Sequence, residues 1–215
     1  MKRSLPFVII GAVLLLGLGA GMWMYRSAQP QSTPAVAALP AESPSASPAA
    51  PAARGVITIE EFGDYQCPPC GAVHPLLKTI KREFGPRVRF FFYHLPLTQV
   101  HKNAMDAAHA AVAAGLQGRF WEMHDLLYAN QKTWSEAEDL HPYALSLARQ
   151  LNLDVTRFSR DMDSPQVDET VAADMRRAAA RGVDSTPTIF IDGQMVENEK
   201  LSLESLRKDL LQRLQ

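Results

Sequence analysis

The chain has 215 residues, 47% of them hydrophobic, and a formal net charge of -1 with acidic and basic residues interleaved. That is enough apolar material for one core of ordinary size, and the charge balance excludes an electrostatic footprint for nucleic acid. Only two cysteines are present and only two residues separate them, so no disulfide framework staples the fold.

Lys2 and Arg3 precede an uncharged run from Leu5 to Met24. As a helix at 1.5 Å per residue this run reaches about 30 Å, the thickness of a bilayer core. The basic pair predicts a cytoplasmic N-terminus, with Trp23 and Tyr25 as interfacial aromatics and everything after Arg26 exported. Residues 1–26 therefore read as a membrane anchor. The alternative is a cleaved signal peptide, against which the run is long and Ala35-Val36-Ala37 lies well beyond its end. Residues 27–54, nearly all Ala, Pro, Ser and Gln, read as a tether with a reach between roughly 30 and 80 Å.

The globular domain is expected over 55–215. Val56 to Phe62 is short and rich in β-branched residues, which predicts a buried strand. Val73, Leu76, Leu77, Ile80 and Phe84 recur at helical spacing before Gly85-Pro86, predicting a helix from Pro68 to Phe84 with a kink at Pro75. Arg87 to Tyr93 predicts a second strand parallel to the first. Residues 99–181 hold no strand-like run and form a helical insertion, with helices over 104–116, 120–129, 142–151 and 167–181. Asp192-Gly193 between Thr188–Ile191 and Gln194–Val196 predicts a hairpin, and Leu203 to Leu214 a closing helix.

A disulfide between Cys67 and Cys70 would close too short a loop to stabilise much, so its value is chemical. At the head of a helix Cys67 gains from unpaired N–H groups and the positive dipole end, which favour thiolate; Cys67 is the expected nucleophile and Cys70 the resolving thiol. Pro68 and Pro69 occupy first-turn positions where missing N–H groups cost little. The two cysteines are also half of a zinc site, with His74 four residues on, but two more ligands would be needed: no further cysteine exists and histidines 94, 101, 109, 124 and 141 show no matching pair. No metal site and no cofactor is expected.

These residues resemble the DsbA-like thiol:disulfide interchange proteins of the thioredoxin-fold superfamily. The resemblance rests on Glu61-Phe62-Gly63-Asp64-Tyr65-Gln66-Cys67-Pro68-Pro69-Cys70, on Gly118 to His124, and on Gly182-Val183-Asp184-Ser185-Thr186-Pro187-Thr188. It implies an α/β thioredoxin fold: a central mixed sheet built as β-α-β then β-β-α, with the helical insertion between the halves. It implies a cis Thr186–Pro187 bond against the dithiol, with the Thr186 backbone open to substrate, and a proton-transfer role for Glu61. Phe120, Trp121 and Met123 read as core. One departure is Pro69, where DsbA carries histidine, and it argues for a weaker oxidant.

The function implied is a thiol–disulfide oxidoreductase, acting on exported proteins as a dithiol oxidase recharged by a quinone-linked membrane partner. The domain would be periplasmic and monomeric. The alternatives are a reductase fed by a membrane thiol carrier, or a non-enzymatic factor that binds copper or apo-protein thiols.

Overall fold

A computed structural model describes residues 55–215; the anchor expected over 1–26 and the tether over 27–54 lie outside the described residues. Among the described residues no helix is long and apolar enough to cross a membrane.

Strand β1 (Ile57–Gly63) leads through a short turn into helix α1 (Pro68–Phe84), and strand β2 (Val88–His94) returns beside β1. The two strands are parallel, with Ile57 opposite Val88 and Gly63 opposite His94. Every residue of β1 is buried, as a strand covered on both faces must be. The insertion then runs through α2 (Ala104–Gly115), α3 (Phe120–Ala129), α4 (Gln131–Trp134), α5 (His141–Gln150), α6 (Val155–Met162) and α7 (Pro165–Ala180). Strand β3 (Thr188–Ile191) pairs antiparallel with β1, β4 (Gln194–Met195) closes the sheet, and α8 (Leu203–Arg213) ends the fold. The sheet order is β2-β1-β3-β4, a mixed sheet.

Side-chain alternation along the strands divides the core in two. Ile57, Ile59, Phe90, Phe92, Ile189 and Ile191 pack with α1 and most of the insertion, while Phe62, Phe91, Tyr93 and Phe190 pack on the other face with Ala178 and Val183. The hairpin turn places Asp192 at φ 48° and Gly193 at φ 77°, the left-handed pair that matches strand twist. Asp192 also accepts the Thr58 N–H at 2.9 Å, tying the turn to β1.

The predicted elements appear with shifts of one or two residues, and Pro75 lies inside an unbroken α1. Two helices were not predicted, α4 and α6. The α6 segment carries only Phe158 and Met162 as large buried apolar residues, and its start depends on the Asp154 carboxylate capping the Arg157 N–H at 2.9 Å. Phe120 and Met123 are core, as expected, whereas Trp121 is only partly buried and stands at the core's edge.

Gly63 is where β1 must stay thin. A Cβ there would lie 2.5 Å from the Phe92 ring and 3.0 Å from the Tyr128 hydroxyl. Because Phe92 is fully buried and cannot swing away, Gly63→Ala is expected to cost about 1–3 kcal/mol, read as a lower midpoint in chemical denaturation with unchanged slope.

Candidate active site

Cys67 is the N-cap of α1, in extended backbone conformation (φ -68°, ψ 119°), and Pro68 and Pro69 fill the first exposed turn. The turn before it is held by its own polar atoms. The Cys67 N–H donates to the Asp64 carbonyl at 3.1 Å, and the Asp64 carboxylate accepts from the Gln66 N–H at 2.7 Å and the Leu97 N–H at 2.9 Å. His101 Nδ1 lies 2.7 Å from the same carboxylate, so the loop after β2 is bound to the turn before the cysteines.

The insertion grips this turn from the other side. Gln131 Nε2 donates to the carbonyls of Tyr65 at 2.7 Å and Cys67 at 2.8 Å. Gln66 donates to the Ser135 carbonyl at 2.7 Å and accepts the Asn103 N–H at 2.7 Å. Gly71 is what lets Gln131 in, since a Cβ at that position would sit 2.5 Å from Gln131 Oε1. Gln131 and Asn103 carry no periodic or motif signal, and reasoning from sequence passed over them.

Both cysteines are present as free thiols, Cys67 5% exposed and Cys70 fully buried. Their acidities diverge. The Cys70 thiol hydrogen-bonds the Cys67 sulfur and, against the cost of partial burial, lowers the Cys67 pKa from 9.0 to about 6. Thr186 adds to this: its hydroxyl is buried without another partner and favours the thiolate. When protonated, Cys67 Sγ instead donates to the Thr186 carbonyl at 3.4 Å. Burial, the bond to Cys67 and the charge of Glu61 push the Cys70 thiol far up.

The Thr186–Pro187 bond is cis, and both residues are half-exposed beside Cys67. Glu61 lies on the Ile57–Ile59 face of β1, between Phe92 and Ile189, fully buried with neither carboxylate oxygen hydrogen-bonded. Burial, with a smaller contribution from the Cys67 charge, raises its pKa to about 8. It is thus a neutral acid at pH 7. His74, one turn beyond Cys70, makes its polar contact elsewhere: its Nε2 lies 3.3 Å from Asp125 Oδ1, and its ring packs on His124 at 5.0 Å. His74 and His124 meet because α1 and α3 lie side by side, a contact that sequence spacing does not show.

An N-capping pair of thiols beside a cis-proline loop, at one end of a mixed sheet, is the arrangement of a thioredoxin fold, here with a helical insertion between its two halves. A thioredoxin family model matches residues 50–210, and the chain belongs to that family. It is similar to a thioredoxin-like oxidoreductase from Silicibacter pomeroyi DSS-3 (26% identity, TM-score 0.60, 74% of this chain and 87% of that one). It shares its fold with oxidised BdbD from Bacillus subtilis (22%, TM-score 0.64, 74% and 87%) and with the oxidoreductase DsbA from Xylella fastidiosa (21%, TM-score 0.61, 75% and 87%). Among curated proteins it matches the Na(+)/H(+) antiporter NhaA 1 of Salinispora arenicola (strain CNS-205), 40% identical over 138 residues, 64% of this chain and 20% of that protein. The NhaA antiporter of Herminiimonas arsenicoxydans is 36% identical over 138 residues, 64% of this chain and 21% of that protein. The chain thus spans about a fifth of the length of these relatives.

Two measurements check the site's electrostatics. The alkylation rate of Cys67 in the reduced protein is expected to follow a titration with midpoint about 6, and Cys70→Ala to move that midpoint upward by removing the largest stabilising bond. Glu61 holds a proton in the folded protein up to about pH 8 that the unfolded chain releases near 4.5. In the oxidised protein the Cys67 charge is gone but burial still holds the Glu61 carboxyl above its ordinary range, so stability should fall as pH rises above 4.5, by up to about 1.4 kcal/mol per pH unit, and Glu61→Gln should flatten the slope.

Proposed function

We propose that this chain is a thiol–disulfide oxidoreductase that works as a dithiol oxidase on exported proteins. The observation that carries the reading is the split between the sulfurs: Cys67 is held as a thiolate near neutrality while Cys70 is held as a thiol. Stabilising the Cys67 thiolate stabilises the reduced pair, which makes the disulfide the better oxidant.

In this reading a substrate thiolate attacks Cys67 Sγ of the disulfide, and Cys70 leaves. The neutral Glu61 carboxyl gives the Cys70 sulfur its proton. The second substrate thiolate then attacks the substrate sulfur of the mixed disulfide and expels Cys67 as its stable thiolate. The substrate has lost two electrons and the chain has gained them. A quinone-linked membrane partner would take them on, restoring the disulfide, with the 1–26 segment keeping a monomeric, periplasmic domain within reach. The half-exposed Thr186 and Pro187 support an extended substrate backbone beside Cys67. The bond from Cys70 and the hydroxyl of Thr186 supply what Pro69 lacks, and this favours oxidation over reduction.

The equilibrium potential of the Cys67–Cys70 couple against glutathione tests the direction. A value well above thioredoxin's, about -270 mV, is expected, and a value at or below it would reverse the direction of flow. A Cys70→Ala variant should accumulate mixed disulfides with exported proteins; an empty trap sinks exchange altogether.

A further inference from the structure

Beside the dithiol, and unused by it, α1 and α3 bring together His74, His124 and Asp125. One ligand atom from each lies within 4.8 Å of the others. We propose that these three side chains form a binding site for a divalent ion of the zinc class, two imidazoles and one carboxylate with a fourth position open to water.

The spacing suits the ion. Tetrahedral bonds of about 2.0–2.1 Å place neighbouring ligand atoms about 3.3 Å apart, and His74 Nε2 already stands 3.3 Å from Asp125 Oδ1. From a separation of up to 4.8 Å the third atom has to close by as much as about 1.5 Å, which a side-chain rotation can supply. The imidazoles are also aimed. His74 is stacked on Tyr128 at 4.9 Å and 27°, and His124 Nδ1 lies 3.1 Å from the Tyr65 hydroxyl. With that hydroxyl accepting from Nδ1–H, Nε2 of His124 keeps its lone pair for a metal, the second-partner arrangement by which ligating histidines are oriented. Asp125 is oriented likewise, Oδ2 receiving Lys78 at 2.6 Å and Oδ1 facing His74.

An ion pair between His74 and Asp125 would need no second imidazole, yet His124 is there, 3% exposed. A cavity of about 260 Å³, lined by the three residues together with Phe90, Trp121 and the cationic side chains of Lys78, Lys81 and Arg82, gives the ion an entry path and room for a water. The Lys78 ammonium on Asp125, with Lys81 and Arg82 on the same wall, opposes a cation, and Lys78 makes the proposal testable in two directions. Bound, the ion would clamp α1, which carries both cysteines, to the insertion.

The test uses the oxidised protein, whose sulfurs cannot compete for metal, titrated with zinc by calorimetry and with cobalt by visible absorption. One equivalent is expected to bind and to raise the melting temperature. His74→Ala and Asp125→Asn, both at partly exposed positions, should weaken binding at least about tenfold while remaining folded by circular dichroism. Lys78→Ala should tighten it, which loss of a merely structural ion pair would not do. No saturable binding up to about 1 mM zinc, or binding unchanged in His74→Ala and Asp125→Asn, overturns the proposal.

Discussion

One proton shared unequally between two sulfurs sets the terms for the rest of this structure. The Cys70 thiol is sealed in the core and donates to the Cys67 sulfur at the edge of it, so the negative charge settles on the sulfur nearer the surface. Such an arrangement requires a deep end and a shallow end within three residues. A helix that begins at Cys67 supplies both, because its first turn faces outward with exposed prolines while its fourth residue points to the sheet. Beneath it, Glu61 has no polar partner and stays protonated, and so adds no second negative charge to the site at neutral pH.

The backbone that holds this geometry is secured by side chains that belong to other elements. Asp64 joins the turn to the loop after β2, and Gln131, Gln66 and Asn103 join it to the insertion. Each bond contributes only about 0.5–1.5 kcal/mol net, yet a buried carbonyl left without its donor costs about 1–3 kcal/mol. The network therefore acts less as a store of stability than as a specification: only one placement of the Cys67 carbonyl satisfies Gln131 and the turn together. The insertion is thus more than a cover for the sheet.

Much of this was legible in the sequence where periodicity is strong. The β1, α1 and β2 pattern and the Asp192-Gly193 hairpin could be read because apolar spacing and turn chemistry are local signals. What could not be read is long-range or polar. The α6 helix spans only about two turns: Val155, Phe158 and Met162 do mark one apolar face at helical spacing, a signal too short to stand out among its charged neighbours. Gln131 is one glutamine among several until the fold brings it against Gly71. Burial of Glu61 was implied by family resemblance alone, since a carboxylate in a β-rich run fits a surface position equally well until both neighbouring strands are in place. The meeting of His74 with His124 likewise exists only once α1 and α3 are packed.

The aromatic cluster around His124 connects these features. Tyr65, in the turn before the cysteines, stacks near Tyr128 at 4.9 Å and hydrogen-bonds His124, whose ring in turn meets His74 on the same helix as Cys67 and Cys70. Tyr128 places its hydroxyl over Gly63, and its ionisation is suppressed chiefly by burial. A change in the orientation of His124 would therefore be felt at Tyr65, and Tyr65 offers its carbonyl to the same Gln131 that holds Cys67. The surface cavity at Asp125 and the dithiol are separate in chemistry but share one packed layer.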